Sequence, residues 1–231
     1  MKTIQELVHG IVPSSNWKIS KLKGVLSSKK TNKNTGMIER NLLSLSYGRI
    51  VEKDIENTEG LVPQSFEGYQ IVEPGDIVFR FTDLQNDKRS LRQAYSTYRG
   101  IITSAYDVVS VNKNHYDKYW FYFMLAMDLA KFYYSLGGGV RQSIKFDDFP
   151  NHYVAHPEIL EQKRIVAELE LEISKIDALI QEVAGMRSLM VAEQDSFLSL
   201  LNEKRIALIL HTMSGKKFAD NMPQESKKAC A

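Results

Sequence analysis

The sequence has little cysteine and no long apolar run, and these absences exclude several classes of protein. Cys230 is the only cysteine of the 231 residues, so neither an intramolecular disulfide framework nor a cysteine metal cluster can form. No apolar stretch of about 18 residues and no basic leader followed by an apolar segment occurs, and we therefore expect a cytoplasmic protein. The formal net charge of +2 is too small to favour a protein that coats nucleic acid by nonspecific binding.

Proline, glycine and aromatic residues are almost absent from one long segment. From Glu158 to Met213 there is no proline, one glycine (Gly185) and one aromatic (Phe197), whereas 21 of the 23 Phe, Tyr and Trp residues precede residue 157. Aromatics and glycines supply the core and turns of a compact domain, and their absence suits an uninterrupted helix. The sequence therefore predicts a domain over residues 1–156, a long helix over 157–215 and a polar, disordered tail over 216–231.

Short apolar segments before residue 157 predict strands and one packed helix. Leu42–Ser46 reads as a strand, and Tyr69–Val72 and Ile77–Phe81 flank a Pro-Gly turn, which predicts a hairpin. Asp117–Leu136 has apolar residues at steps of three and four, which predicts a helix. We therefore predict an α+β fold: a mixed globular domain with a curled β-sheet and a packed helix, followed by a long C-terminal α-helix that forms a coiled coil.

The segment after Pro157 carries an apolar stripe close to the heptad spacing. A helix of this length would span roughly 80 Å at 1.5 Å per residue, too far to bury its stripe on one small domain. It needs another helix, and we predict an antiparallel homodimer. The alternative is an intrachain helical hairpin that breaks near Ala184-Gly185. The residues expected at the dimer contact are Ile165, Leu169, Ile173, Ile176, Ile180, Val183, Met190 and Leu201.

Two groups of motifs mark the junction between domain and helix and the C-terminal end. The first group comprises Gly139, Arg141, Ser143 and Ile144, then Phe149-Pro150-Asn151, and then Pro157, Glu161-Gln162 and Ile165. The second comprises Leu201–Arg205, Leu208-Ile209 and Ser214–Lys216. In this order the motifs resemble the specificity subunits of Type I restriction-modification systems. A usual subunit of that family has two target-recognition domains and two spacer helices, and this chain has room for one of each.

The resemblance implies a noncatalytic subunit that gives a Type I restriction-modification enzyme its DNA sequence specificity. Its partners would be double-stranded DNA, a second copy of the chain, modification subunits that carry S-adenosylmethionine and methylate adenine, and restriction subunits that translocate DNA. No cofactor is expected in this chain itself. Identical domains on a two-fold axis imply a bipartite, palindromic target. Two alternatives stay open: a coiled-coil adaptor that binds protein without DNA recognition, and a fragment of a full-length specificity subunit.

Three polar segments have the composition needed to read DNA. Base edges are recognised chiefly by Arg, Lys, Gln and Asn on projecting loops or helix ends. The segments are Ser46–Arg49, Arg80–Gln93 and Gly139–Ser143, and a lysine-rich fourth segment, Lys18–Lys33, suits phosphate contact. The alternative for each is an ordinary solvated loop, and for Arg141 an ion pair with Asp147 or Asp148. The residues expected to bind DNA are Tyr47, Arg49, Arg80, Lys88, Arg89, Arg92, Gln93, Arg141, Gln142 and Ser143.

No residue pattern in the sequence predicts catalysis or metal binding. Among the five histidines only His152 and His156 lie four apart, in a segment that reads as extended. The glycines Gly137–Gly139 are not followed by the Gly-Lys-Ser/Thr of a phosphate-binding loop. We therefore predict no catalytic residue, no metal site and no enzyme activity of this chain alone.

Overall fold

A computed structural model of the chain describes residues 2–5, 16–55, 65–82, 84, 91–136, 143–185 and 191–214. The strands in this part are β1 (Lys18–Lys21), β2 (Leu26–Ser28), β3 (Leu42–Ser46), β4 (Arg49–Lys53), β5 (Gln70–Val72), β6 (Ile77–Phe79), β7 (Gln93–Tyr95), β8 (Gly100–Ile102), β9 (Asp107–Val111) and β10 (Tyr153–His156). The helices are α1 (Asp117–Leu129), α2 (Phe132–Leu136), α3 (Ile159–Gly185) and α4 (Val191–Met213). The predicted α+β class is confirmed. None of these helices is long and apolar enough to cross a membrane.

The strands form three sheets in place of one curled sheet. An inner sheet has the order β2-β9-β6-β7, an outer sheet has the order β4-β3-β8-β5, and β1 pairs with β10 separately. Strands β5 and β6 lie in different sheets, so the hairpin predicted around Pro74-Gly75 is wrong. That turn carries the chain from the outer sheet to the inner one, where the second strand finds its partners in β7 and β9.

The inner sheet is buried on both faces because successive side chains of a strand point to opposite sides. In β6, Val78 packs with Leu43 and Ile102 between the two four-stranded sheets. Its neighbours Ile77 and Phe79 belong to the opposite cluster, which contains the buried face of α1. The domain is therefore layered as outer sheet, inner sheet and helices, and the short apolar strands are those expected of a sheet without a solvated face.

The predicted helix over residues 117–136 is two helices. Lys131 takes a left-handed backbone conformation with φ of 62°, which ends α1 and lets α2 begin at Phe132. The change of direction buries Phe132 and Tyr133 in the same cluster as Trp120 and Phe123 of α1. The apolar spacing thus correctly predicts helical structure in this segment. The left-handed conformation of Lys131 divides the segment into two helices.

The segment after Pro157 folds back on itself. Helix α3 ends at Gly185, and α4 packs against both α3 and α1. The direction is antiparallel: Arg205 Nε lies 3.5 Å from Asp177 Oδ1, and Met213 shares a buried cluster with Ile165. The prediction of one uninterrupted helix is therefore wrong, and the intrachain hairpin is the arrangement found. The return helix covers the apolar stripe without a second chain.

The residues expected at a dimer contact are mostly buried within their own chain. Ile165, Leu169, Ile173, Ile176 and Leu201 are buried, Ile180 and Val183 are half-buried, and Met190 lies outside the described residues. A side chain that its own chain already covers is not available to a second copy. The expectation that these five buried side chains form the dimer contact is therefore wrong for the folded hairpin.

Burial of Ile176 inside the hairpin makes a stability prediction. Ile176→Ala removes buried methyl groups and should lower the free energy of unfolding by about 2–4 kcal/mol, independently of protein concentration. Leu160→Ala is the matched control, because Leu160 is 78% exposed on the same helix and its loss should cost about 0.5 kcal/mol or less. Urea denaturation followed by circular dichroism measures both. A cost for Ile176→Ala that changes with protein concentration would contradict burial within one chain.

The start of α3 is fastened to the domain by a buried glutamine. Gln162 Oε1 accepts the backbone N–H of Tyr116 at 2.9 Å, and Gln162 Nε2 donates to the Pro157 carbonyl at 2.8 Å. Beside it the rings of His115 and His156 meet edge to face at 4.9 Å. His156 Nε2 also lies 2.9 Å from the Ser20 hydroxyl. The Glu-Gln motif thus has a structural role: its glutamine satisfies backbone groups where helix and domain meet.

This junction predicts a loss of stability in acid. Burial lowers the pKa of both His115 and His156 below the usual 6.5, so the unfolded chain takes up protons first as the pH falls. Stability should be fully present above about pH 6.5 and decline below it. Urea midpoints at about pH 7.5 and about pH 5.5 should differ less in a His115→Gln/His156→Asn variant than in the unmodified protein or in His152→Gln. An unchanged difference in the double variant would contradict this assignment.

Candidate nucleic-acid interface

The first polar segment forms a two-residue turn between β3 and β4. Tyr47 and Gly48 both have positive φ, 46° and 76°, between the paired residues Ser46 and Arg49. Two positive φ values in a two-residue loop match the twist of a β-hairpin. The turn therefore projects the side chain of Tyr47, which is 76% exposed, from the end of the outer sheet, with Arg49 exposed beside it.

The described end of the second polar segment, residues 91–93, lies against this turn. A Cβ atom at Gly48 would lie 3.4 Å from Leu91 Cδ2 and 3.7 Å from the carbonyl oxygen of Gln93. Leu91 also has a positive φ, 67°, and its side chain is 42% exposed. The turn after β3 and the chain entering β7 therefore form one continuous surface.

The third polar segment reaches the same edge. The backbone N–H of Ile144 donates to the Phe81 carbonyl at 3.2 Å, which places Ser143 beside the end of β6. In α2, which precedes this segment in the chain, the Tyr134 hydroxyl lies 3.4 Å from Arg92 Nε. The described ends of all three predicted segments thus converge on one edge of the domain. This edge, defined by Tyr47–Arg49, Arg80–Thr82, Leu91 and Ser143, is called the recognition edge below.

Arg92 has a structural role at this edge. Its side chain is 1% exposed, and its Nη1 donates to the carbonyl oxygens of Thr82 at 2.9 Å and Arg80 at 3.4 Å. Its guanidinium also lies 5.5 Å from the centre of the Tyr134 ring. The prediction that Arg92 contacts DNA is wrong, because the guanidinium is occupied by the chain that it holds in place.

Gln93 is also buried, because it lies at the start of a strand of the inner sheet. It begins β7 with its side chain directed inward, and Nε2 donates to the Phe121 carbonyl of α1 at 2.8 Å. The prediction that Gln93 contacts DNA is also wrong. Polar composition alone does not distinguish the last residues of a loop from the first residues of the strand that follows.

A buried carboxylate accompanies Arg92. Asp128 of α1 is fully buried and its Oδ2 accepts the backbone N–H of Arg92 at 3.1 Å. Burial raises the pKa of this carboxyl, while the hydrogen bond from Arg92 acts in the opposite direction. A guanidinium is retained in a protein interior when nearby oxygens accept its hydrogen bonds. Carbonyls, a ring and a nearby carboxylate provide that environment here.

The other predicted contacts divide into accessible residues and residues outside the described part of the chain. Tyr47, Arg49 and Ser143 are exposed, and Arg80 is half-buried. Lys88, Arg89, Arg141 and Gln142 lie outside the described residues, and so does the alternative ion pair of Arg141. Their roles stay predictions.

Two lysines near the recognition edge are missing from the set predicted to read bases. Lys145 Nζ lies 3.2 Å from the Ala105 carbonyl and 3.8 Å from Asp107, which pairs with Phe79 at the same end of the inner sheet. Lys30 Nζ lies 3.7 Å from Asp147, and its side chain is largely exposed. Lys145 follows the third segment by two residues, so extending that segment would have included it.

The fourth, lysine-rich segment is partly occupied by ion pairs. Lys29 Nζ lies 2.6 Å from the buried Asp76 carboxylate, which also accepts the Glu73 backbone N–H. Lys18 lies 2.6 Å from Glu158 at the start of the hairpin, in an exposed pair. The buried pair removes Lys29 from the set suited to phosphate contact.

Comparison with solved structures gives the fold a known counterpart. The crystal structure of the HsdS subunit from Thermoanaerobacter tengcongensis is similar, with a TM-score of 0.51 and 15% sequence identity over 76% of this chain and 46% of that one. A chain of a structure on the assembly and conformational transition of the type I R-M system has a TM-score of 0.48 and 16% identity over 90% of this chain and 48% of that one. The sequence matches no family model and no curated protein.

The structural comparison confirms, at the level of the fold, the resemblance that the sequence motifs indicate. The chain spans less than half the length of the solved structures it matches.

The role assigned to Arg92 makes a second stability prediction. Arg92→Met removes hydrogen bonds to two half-buried carbonyls beside a buried carboxylate and should lower the free energy of unfolding by about 3 kcal/mol. Arg49→Met at the exposed end of β4 is the matched control and should change it by about 0.5 kcal/mol or less. Urea denaturation measures both. Equal and small effects of the two substitutions would show that Arg92 does not support the edge.

Proposed function

We propose that this chain is a noncatalytic DNA-specificity subunit of a Type I restriction-modification enzyme, reading one half of a bipartite target. The observation that carries the proposal is that the described ends of three polar segments meet on one edge of a domain whose fold is similar to an HsdS subunit. A single edge that collects arginine, tyrosine and serine from separate loops provides hydrogen-bond donors and apolar contact over a limited patch. Sequence readout in a DNA groove requires that combination.

Within this proposal the recognition edge faces the duplex. Tyr47, Arg49, Arg80 and Ser143 contact DNA, together with Lys88, Arg89, Arg141 and Gln142. Lys30 and Lys145 flank the edge and neutralise phosphates, which strengthens binding without selecting bases. Arg92 and Gln93 act indirectly by fixing the backbone of the loop that precedes β7.

The proposed assembly is a homodimer whose two helical hairpins meet. Because the original stripe is buried, the contact uses side chains that the hairpin leaves exposed: Leu171, Leu179, Phe197, Leu200 and Ile206. These exposed apolar side chains of the two helices are the ones that remain available to a partner chain. Two identical domains related by a two-fold axis read identical half-sites, so the proposed target is an interrupted palindrome.

The chemistry belongs to the partners in this proposal. Modification subunits dock on the assembly, bind S-adenosylmethionine and methylate adenine, and restriction subunits translocate DNA. The complex acts in the cytoplasm. This chain contributes the choice of sequence and the spacing between half-sites.

Methylation mapping tests this function. In cells that express the cognate modification subunit, adenine methylation should appear at an interrupted palindrome only when this chain is also expressed. The purified chain alone should transfer no methyl group. A nonpalindromic site with this chain as the sole specificity subunit would contradict the symmetric dimer, and methylation independent of the chain would contradict the specificity role.

The adaptor alternative predicts a different result in vitro. A protein-binding adaptor has no duplex affinity that falls as salt rises, whereas a DNA-binding edge loses affinity steeply with salt. Fluorescence anisotropy with labelled duplexes at several salt concentrations separates the two functions.

A further inference from the structure

Two large apolar side chains stand exposed together on the recognition edge. Tyr47 is 76% exposed at the tip of the β3–β4 turn and Leu91 is 42% exposed beside it. Both residues have positive φ, 46° and 67°. Left-handed backbone is uncommon for residues other than glycine, asparagine and aspartate, and for bulky residues it adds a conformational cost. Both side chains are therefore exposed to solvent at positions whose backbone conformation is unfavourable for bulky residues.

The fold itself does not require an aromatic residue at position 47. A two-residue turn with positive φ at both positions is most stable as Asn-Gly or Asp-Gly. Here Gly48 satisfies the second position, and Tyr47 occupies the position at which asparagine is preferred. Tyr47 gains little from burial in return. A side chain that costs conformational energy and returns little packing indicates a contact with something outside the chain.

The surroundings identify the chemistry of that contact. Arg49 is exposed two residues away, and the same edge contains half-buried Arg80 and exposed Ser143. Arginine and hydroxyl groups hold phosphates and base edges, but a tyrosine ring and a leucine side chain cannot neutralise a phosphate. They can pack on base faces or on the methyl group of thymine, or wedge between base steps.

We propose that Tyr47 and Leu91 form an apolar wedge that packs against bases of the duplex while the surrounding cations hold the backbone. This inference rests on the proposed DNA-recognition function and adds the mode of contact. The wedge contributes affinity that does not depend on counterion release, because no phosphate is neutralised by it. Leu91, which lies beside Gly48 in the neighbouring segment, adds a residue that no polar motif in the sequence could indicate.

The test compares stability and DNA affinity in the same variants. Tyr47→Asn supplies the residue that the turn prefers, so its urea unfolding midpoint should equal or exceed that of the unmodified protein. Its affinity for the duplex selected by the full-length chain from a random library should fall about tenfold, as expected for loss of aromatic packing on a base. Tyr98→Asn is the matched control, because Tyr98 is 40% exposed in the turn that joins β7 to β8, away from the recognition edge. It should leave the affinity unchanged.

Salt dependence separates the wedge from an ordinary charged contact. Arg49→Gln should reduce the slope of log affinity against log salt by about one, whereas Tyr47→Asn and Leu91→Ser should lower affinity and keep the slope. Full affinity in Tyr47→Asn would overturn the wedge while leaving DNA recognition intact. A fall matched by an equal loss of folding stability would also overturn it. Failure of the unmodified chain to select any duplex would overturn both the wedge and the proposed function.

Discussion

The buried guanidinium of Arg92 holds the recognition edge in shape. It joins carbonyl groups at Arg80 and Thr82 to the ring of Tyr134, and its backbone N–H is tied to Asp128 of α1. The two ends of the long polar loop are thereby fixed to each other and to the helical layer. Loops that carry recognition residues vary most readily when their ends are fixed by a rigid scaffold. In this domain one arginine, contributed by the loop itself, provides much of that fixation.

The same helical layer connects the domain to the hairpin. A single apolar cluster contains strand residues such as Phe79, the α1 residues Trp120 and Phe123, and hairpin residues Leu169 and Ile209. Gln162 then satisfies the backbone groups where the chain leaves the domain. Because apolar packing and directional hydrogen bonds act at the same junction, the hairpin is positioned by the core that stabilises the inner sheet.

Local patterns predicted the elements well and their partners poorly. The strand Leu42–Ser46 and the start of the helix at Asp117 follow directly from alternation and from helical spacing. The pairing of β6 with β9 and the return of α4 onto α3 depend on contacts between distant segments, which periodicity does not encode. Composition singles out three polar segments whose described ends meet at one edge, but it does not predict that they meet. It assigns Arg92 and Gln93 to DNA because composition reveals polarity and not burial. Leu91 could not be found because an apolar residue within a polar loop gives no signal.

Because the hairpin is antiparallel, its length depends on α3 and α4 together. An insertion of four residues in α3 alone would lengthen one side by about 6 Å and turn the following residues by about 40°. The apolar face would then leave α4, and the alignment of Asp177 with Arg205 would be lost. Only a compensating insertion at the matching level of α4 would preserve both. If the hairpin sets the distance between half-sites, two stretches of sequence encode that distance jointly. A change in the distance then requires correlated changes in both helices.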